Sequence, residues 1–419
     1  MEPRKRPQAG KSPIRSFAES LTEQSAVLYV LDRPSLRDGP LRGARTLRAE
    51  SLAEGNVNLI FRVGDPETGS SVILKQALPF AWRYPAFRMP RSRARIEYEW
   101  LQRQKIHSPQ WVPRVFDFDR KNYVLAMEDL KDFTVLRKAL ITGQKPHHLG
   151  FQVGQFLARS LFYTTDFFLP SQVKKRLVCR FLNPVLRKVQ EELVFLNPWT
   201  EHPTNRWTSA LASEVQSLQK DGTLRAKVLH CLQKYSSCAE ALIHNDFHTG
   251  SLLVSPTGLL KVVDAEFAFF GPIAHDLGTF FAHLALSYAA QVWWKKRTEE
   301  QIAYRKWIEE QLTFTWSAFE EDFLSLWEAD GQPGRDLPRY RTLFLRTILR
   351  ELPIFAAAEI VRRIIGLAHV EDLESIPELE SKVSAERMAL AIARAWIRES
   401  DGIRDAKDLT ELMRQAASP

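Results

Sequence analysis

Cysteine is scarce in this chain of 419 residues. There are three, Cys179, Cys231 and Cys238, odd in number and without metal-ligand spacing. That excludes a disulfide framework and predicts reduced, partly buried thiols in a cytoplasmic protein. Long apolar runs are also missing. The most apolar stretch, Phe267 to Trp294, is interrupted by His275, Asp276 and His283, which excludes a membrane span. There is no apolar h-region of the kind a signal peptide carries. Internal repeats are absent. The net charge is +8, but "MEPRKRPQAGKSPIRS" holds five Lys/Arg against one Glu, so half the excess sits in one Pro- and Ser-rich tail that reads as disordered. No basic stripe interleaved with aromatics follows it, so a nucleic-acid partner is not expected. What is present, 45% hydrophobic and 26% charged residues, suits a globular chain long enough for two lobes.

The pattern divides the chain into a tail over 1–20, a small β-rich lobe over 21–127 and a large, mostly helical lobe over 128–419. This is an α+β fold. Three short strands with turns are predicted within 46–77, as "TLRAESL", "AEGNVNLIFRV" and "VILKQALPF". A basic helix follows over Arg93–Gln104, and "YVLAMEDL" at Tyr123–Leu130 reads as a strand ending in an acidic pair. Amphipathic helices are predicted over His148–Tyr163, Leu224–Ala241, Thr279–Trp294, Thr298–Trp327, Tyr340–Ala368 and Lys382–Arg398.

Three acidic residues stand out in an apolar and basic context. "LIHNDFHTGSLLVSPTGLLKVVDAEFAFFGP" carries Asp246 in an H-x-D loop, then Asp264 and Glu266 at the end of an apolar strand. The eighteen residues between Asp246 and Asp264 fit a loop plus a two-stranded hairpin, which would return the second carboxylate close to the first. Phosphoryl transfer from a nucleotide needs such parts. It uses a backbone-lined loop and a cation over the phosphates, carboxylates for Mg²⁺, and one carboxylate beside the acceptor hydroxyl. "EGNVN" offers Gly55 and Asn58, and "VILKQ" offers Lys75. Carboxylates are tolerable in apolar surroundings when Mg²⁺ neutralises them.

Each element also has a plain structural reading. Lys75 could be an edge-strand lysine facing solvent. Glu99 in "IEYEWL" could be a solvated helix position or the partner of Lys75. Asp264 and Glu266 could hold a structural ion. His244 and His248 are four apart, but no third ligand stands at metalloprotease spacing, so His244 is expected to hold its loop through a backbone hydrogen bond rather than bind zinc. "AGKS" at Ala9–Ser12 lacks the first glycine and the preceding strand of a P-loop and is rejected. Taken singly, these plain readings mostly win. Taken together, in this order, the parts favour a kinase.

The same residues resemble the S-methyl-5-thioribose kinases of methionine salvage, in the aminoglycoside-phosphotransferase and choline-kinase-like branch of the protein-kinase fold. "EGNVNLIFRV" is similar to that family's phosphate loop, "ILKQALPF" to its lysine strand, and "MEDL" with "LRKALITG" to its hinge and the helix after it. "NRWTS" is similar to a segment of its large lobe. "HNDFHTGSLLV" resembles its catalytic loop, "DAEFAFFGPIAHDLG" its metal loop, and "IVRRIIGLAHVEDLESI" its distinctive Arg-Arg segment. The resemblance implies a bilobal fold and an ATP- and Mg²⁺-dependent transfer to the anomeric hydroxyl of methylthioribose by a homodimer. It implies Asp246 as the base and Asp264 and Glu266 as holders of Mg²⁺-ATP, with Ala265 between them. Asn58 and Lys75 would lie on the phosphates, Glu128, Asp129 and Leu130 around adenine, and Arg362 and Arg363 would face the thioribose.

The sequence departs from the pattern at Asn245, where the family has glycine, at "AHDLG", which places His275 beside Asp276, and at Pro353 and Ile354. A kinase for another sugar or amino alcohol and an inactive nucleotide-binding homologue are the alternatives. On the helix, Ile360, Val361, Ile364 and Ile365 mark an apolar stripe, so both arginines are expected on its opposite, polar side, one at each flank.

Overall fold

The computed structural model describes residues 20–52, 57–335 and 337–417. All but the last residue of the expected tail, and the glycine of "EGNVN", therefore lie outside the described residues. The chain folds as two compact units, one containing the residues up to Ala94 and Val115–Asp129, the other Arg95–Arg114 and everything from Leu130 on.

The first unit opens with helices α1 (Glu23–Leu31) and α2 (Pro34–Arg37). Thr22 and Ser25 form a capping box at the start of α1, which satisfies two of the backbone N–H groups that a helix start leaves open. Strands β1 (Arg48–Ser51), β2 (Leu59–Gly64) and β3 (Ser71–Gln76) follow, then a small hairpin of β4 (Phe80–Ala81) and β5 (Tyr84–Arg88), then β6 (Val115–Asp119) and β7 (Val124–Glu128). The antiparallel sheet runs in the order β1-β2-β3-β7-β6. In β2, every second residue is buried, the period expected of a strand with one face on a core. Leu59, Phe61, Val63, Val72, Leu74, Val124 and Ala126 meet Ala26, Tyr29 and Val30 of α1 there.

The second unit takes α3 (Arg93–His107) from Arg95 on and continues with β8 (Thr134–Val135), α4 (Leu136–Ile141), α5 (Leu149–Phe162), α6 (Ser171–Arg180), α7 (Pro184–Gln190), a π-helical turn over Glu191–Leu196, α8 (Ala212–Lys220) and α9 (Gly222–Ser237). Four short strands come next, β9 (Ala241–Ile243), β10 (Leu252–Val254), β11 (Leu260–Val262) and β12 (Phe269–Gly271). Helices α10 (Ile273–Trp294), α11 (Thr298–Asp330), α12 (Pro338–Ile365), α13 (Glu371–Glu374), α14 (Leu379–Glu399) and α15 (Ala406–Ala416) complete it. The expected long helices are all present. α10 begins six residues earlier than expected, directly after Pro272, because "GPIAHDLG" continues into the helix with Pro272 as its N-cap.

The four strands position the loops of interest. β10 and β11 pair antiparallel as the expected hairpin, and β8 adds to the other edge of β10. Outside them, β9 pairs antiparallel with β12. One loop lies between β9 and β10, and the other between β11 and β12. The two ladders hold both loops at their start and at their end.

Helix α12 is buried on every side from Leu352 to Ile365, so the side opposite the apolar stripe, where Arg362 and Arg363 were expected, faces the interior of the unit rather than solvent. Their polar surroundings are internal. α12 crosses α10 at Gly278, where an added Cβ would meet Phe355 Cβ at 2.8 Å, Ala356 N at 2.9 Å and Leu352 O at 2.9 Å. That crossing spans the turn that carries the unusual Pro353, which has no N–H to donate to the helix ladder. Gly278→Ala is expected to destabilise the fold by about 1–3 kcal/mol through overpacking, read as a lower thermal midpoint.

Candidate active site

The loop after β9 is built around its own backbone. Asp276, near the start of α10, accepts from His244 N at 2.7 Å and Asn245 N at 2.9 Å with its two oxygens. His244 Nδ1 accepts from Asp246 N at 3.3 Å, which sets the tautomer, so Nε2–H donates to Val263 O at 2.8 Å. His244 thereby ties Asp246 to the residue just before Asp264, and the edge of its ring packs on buried Trp100 of α3. This is the backbone role that was expected of it.

Asn245 sits at φ +67°, a left-handed conformation that glycine adopts freely and Asn better than most residues. The replacement of the family glycine is therefore compatible with the loop. Its side chain is used as well: Oδ1 accepts from Tyr235 Oη at 3.0 Å and Nδ2 donates to Phe267 O at 3.0 Å. The loop after β11 is held from a second direction, since Asn183 Nδ2 donates to Glu266 O at 2.9 Å. Asp264 is itself at φ +66° and starts a short 3₁₀ turn over Ala265–Phe267, in which Ala265 and Glu266 are buried. His275, the other departure, is packed among Phe195, Tyr235 and Phe355.

Asp246 is partly shielded. Its Oδ2 lies 3.5 Å from His248 Nε2, and its Oδ1 is shut from solvent without a hydrogen-bond partner. His248 Nδ1 accepts from Gly250 N at 3.0 Å and Ser251 N at 3.1 Å, so the proton is on Nε2, facing the carboxylate. Burial pushes His248 below its ordinary range, which makes it a neutral donor. Burial alone would raise the Asp246 carboxyl, but His248, Arg362 and Arg363 outweigh it and hold it well below the ordinary carboxylate range. Ser251 closes the loop by donating from Oγ to Asp246 O at 3.0 Å.

Arg362 and Arg363 reach this region from the end of α12. One carboxylate holds both: Glu359 Oε2 accepts from Arg362 Nη1 at 3.1 Å and Oε1 from Arg363 Nε at 2.6 Å. His283 Nε2 lies 3.3 Å from the same Oε1. Gln190, the last residue of α7, joins the two halves of the site. Its Oε1 accepts from Arg362 Nη1 at 2.9 Å, and its Nε2 donates to Asn245 O at 3.0 Å. Arg137 of α4 and Asp372 of α13 complete the cluster, with Arg137 Nε 3.3 Å from Asp372 Oδ2. Burial pushes Asp372 up from 3.8 to about 6, against the pull of Arg137. Asp246, Glu359 and Asp372 thus face three guanidiniums, and the cluster is charge-balanced at neutral pH.

Glu359, Gln190, Arg137 and Asp372 were not singled out in the sequence, and Asp276 and His283 were named there only as interruptions of an apolar run and, for Asp276, as the neighbour of His275. Of their roles, only the spacing of Glu359 from Arg362 and Arg363, three and four residues, was visible there as a helical ion-pair signal.

Asp372 gives a pH test. An acid whose folded pKa is raised contributes most stability below its unfolded pKa, and that contribution is lost as pH rises from about 4 to about 6. The loss amounts to roughly 3 kcal/mol. Asp372→Asn should flatten that part of the stability–pH curve, measured by denaturant unfolding.

The remaining predicted residues lie in the first unit, apart from Leu130. Lys75 is buried in the central strand β3, opposite Ile60 and Leu125, so the edge-strand reading is excluded. Asn58 Oδ1 accepts from the fully buried Arg93 at 2.9 Å. Glu128 ends β7 opposite Val72. The Asp129 carboxylate is occupied by Arg62 Nε at 2.6 Å and Ser71 Oγ at 2.7 Å, which leaves its backbone for other partners. Glu99 belongs to the second unit, where Arg180 Nε holds it at 2.6 Å and Arg95 Nη1 at 2.9 Å.

Asp264 and Glu266 offer hard oxygen ligands two residues apart. Among the described residues no group of three His, Cys, Asp or Glu gathers at metal spacing. A carboxylate pair of this kind suits Mg²⁺, which keeps waters and takes phosphate oxygens to complete its shell.

Comparison with known proteins gives the family. The profile of the phosphotransferase enzyme family matches residues 48–321. A methylthioribose kinase of Bacillus cereus is 37% identical, covering 95% of this chain and 98% of its own. One of Bacillus pumilus is 34% identical, covering 95% and 97%, and one of Pectobacterium atrosepticum is 35% identical, covering 88% and 92%. A solved glucosamine kinase in complex with glucosamine, ADP and inorganic phosphate shares the fold, with a TM-score of 0.50 at 15% identity over 91% of this chain and 88% of that one. The chain belongs to the phosphotransferase enzyme family and, within it, to the methylthioribose kinases.

Proposed function

We propose that this protein transfers the γ-phosphate of ATP to the 1-hydroxyl of S-methyl-5-thioribose, giving the 1-phosphate and ADP, a step of methionine salvage. The observation that carries the reading is the charge-balanced cluster beside Asp246. A cationic acceptor such as choline or an aminoglycoside calls for an excess of carboxylates; a neutral thiosugar calls for balanced hydrogen-bonding groups. Relatives named methylthioribose kinase over nearly the whole chain support the same substrate.

In this reading Asp246 orients the acceptor hydroxyl through Oδ1 and receives its proton. Because the carboxyl is held so low, the proton moves late, once bonding to phosphorus has made the hydroxyl acidic, and the main contribution is alignment. Arg362 and Arg363 stabilise the charge that develops on the transferring group. Asp264 and Glu266 hold Mg²⁺, which when bound neutralises the phosphate charge. Ala265 lies in the same loop against the nucleotide, Lys75 and Asn58 contact the phosphates, and Glu128, Asp129 and Leu130 line the adenine site through their backbone. We infer a cytoplasmic homodimer, to be checked by light scattering.

The test is ATP consumption with methylthioribose against ribose, choline and kanamycin. Turnover confined to methylthioribose is expected, and a preference for choline or kanamycin would overturn the reading. For the metal, Asp264→Ala should weaken nucleotide binding and make it insensitive to Mg²⁺; an unchanged Mg²⁺ titration midpoint would remove Asp264 from this role.

A further inference from the structure

We propose that Arg137 and Asp372 form the part of the acceptor site that grips a vicinal diol of a neutral sugar. The inference rests on the sugar-kinase reading above and adds residues to it.

Its basis is a set of orphaned polar atoms. Asp246 Oδ1, Arg362 Nε, Arg137 Nε and Nη2, and both carboxylate oxygens of Asp372 are shut from solvent without a hydrogen-bond partner. These atoms belong to one buried cluster. Glu359, in the same cluster, has both oxygens bonded to guanidiniums. Asp372 is 1% exposed and approaches Arg137 Nε at 3.3 Å without hydrogen-bond alignment. A buried ion pair left in that condition is costly to keep, and hydrogen bonds from a ligand would offset the cost.

The pair also lies where an acceptor must be. A Cβ on Gly250 would come 3.0 Å from Arg137 Nη1 and 2.8 Å from His248 Cε1. The guanidinium therefore lies against the catalytic loop beside the imidazole that faces Asp246. Arg363 interacts electrostatically with Asp246 and Asp372 alike. Asp246 Oδ1 is as shut from solvent as the atoms of the pair, and Arg137 interacts electrostatically with Asp246.

The chemistry selects the ligand. The guanidinium offers two N–H donors, and the carboxylate offers two acceptors. Each hydroxyl of a diol can donate to an Asp372 oxygen while accepting from Arg137. An anionic group would be repelled by Asp372, and an amine by Arg137. A sugar phosphorylated at its anomeric hydroxyl carries its ring diol on the adjacent carbons, within reach of such a pair. Gly250, with no Cβ, lets Arg137 and His248 approach the loop this closely.

The experiment compares kcat/KM for methylthioribose and its 2-deoxy and 3-deoxy analogues in the wild type, Asp372→Asn and Arg137→Lys. The wild type should prefer the parent over at least one analogue by on the order of 10²-fold. Each variant should lose a similar factor on the parent, cease to distinguish it from that analogue, and keep its KM for ATP. A purely structural pair would lower all rates and leave the discrimination intact, which would overturn the proposal; so would a wild type indifferent to both hydroxyls. If Asp372→Asn fails to fold by circular dichroism, Arg137→Lys carries the same comparison. Failure of the wild type to phosphorylate methylthioribose at all would instead overturn the proposed substrate.

Discussion

Asp246→Asn should lower kcat by about 10²–10⁴-fold while nucleotide affinity stays at the wild-type level. The amide has the size of the carboxylate, and the backbone around it is fixed by Asp276, His244 and Ser251 rather than by the Asp246 side chain. The loss is therefore chemical rather than structural. Asparagine cannot receive the hydroxyl proton, and its amide presents N–H to either the acceptor or His248 Nε2, which already carries a proton. Steady-state rates together with titration of the variant by ADP separate the two effects. Retention of more than half the wild-type rate would exclude Asp246 as the base.

The second large effect is expected at Glu359. Glu359→Gln leaves two buried guanidiniums without their shared carboxylate, and breaking a buried pair from one side typically costs about 3–5 kcal/mol. Burial alone would raise this carboxyl, but Arg362, Arg363 and His283 hold it well below its ordinary range. For a depressed acid, the stabilisation is present above the unfolded pKa and is lost as pH falls through the folded one. The deficit of Glu359→Gln should thus be constant from about pH 5 to 8 and shrink only in strong acid, as the wild-type carboxylate is protonated. Chemical denaturation at several pH values measures it. A deficit that grew between pH 6 and 8 would contradict the assignment. Removing Arg363 as well should recover part of the stability, because residues in one network are not additive.

The order of the parts was legible because each carries a local sign. The β10–β11 hairpin announces itself as two apolar runs around "SPTG", and Lys75 stands in a run of β-branched and aliphatic residues that reads as a strand. What escaped was acceptor chemistry. Asp276 serves two N–H groups some thirty residues earlier in the chain, and Gln190 serves a carbonyl and a guanidinium more than fifty and more than one hundred and seventy residues away. Such groups have no local pattern, since tertiary closure alone makes them necessary. The surroundings of the polar side of α12 escaped for a related reason. A helical stripe distinguishes apolar from polar, but it does not say whether the polar face meets water or a buried ion cluster. α6 was missed because "SQVKKRLVCR" mixes four basic with four apolar residues in only ten positions, too short a run to establish a period.

The pairing of β9 with β12 around the β10–β11 hairpin makes the eighteen-residue interval between Asp246 and Asp264 incidental. Residues added at Pro256 and Thr257, the exposed tip of the hairpin, would lengthen the count without displacing either carboxylate, because the β10–β11 ladder lies between the tip and the loops and the β9–β12 ladder holds their far ends. Loop tips of this kind are where insertions are tolerated. Homologues of this chain can thus differ in that interval and still present the same chemistry, and a search by fixed spacing would pass over them.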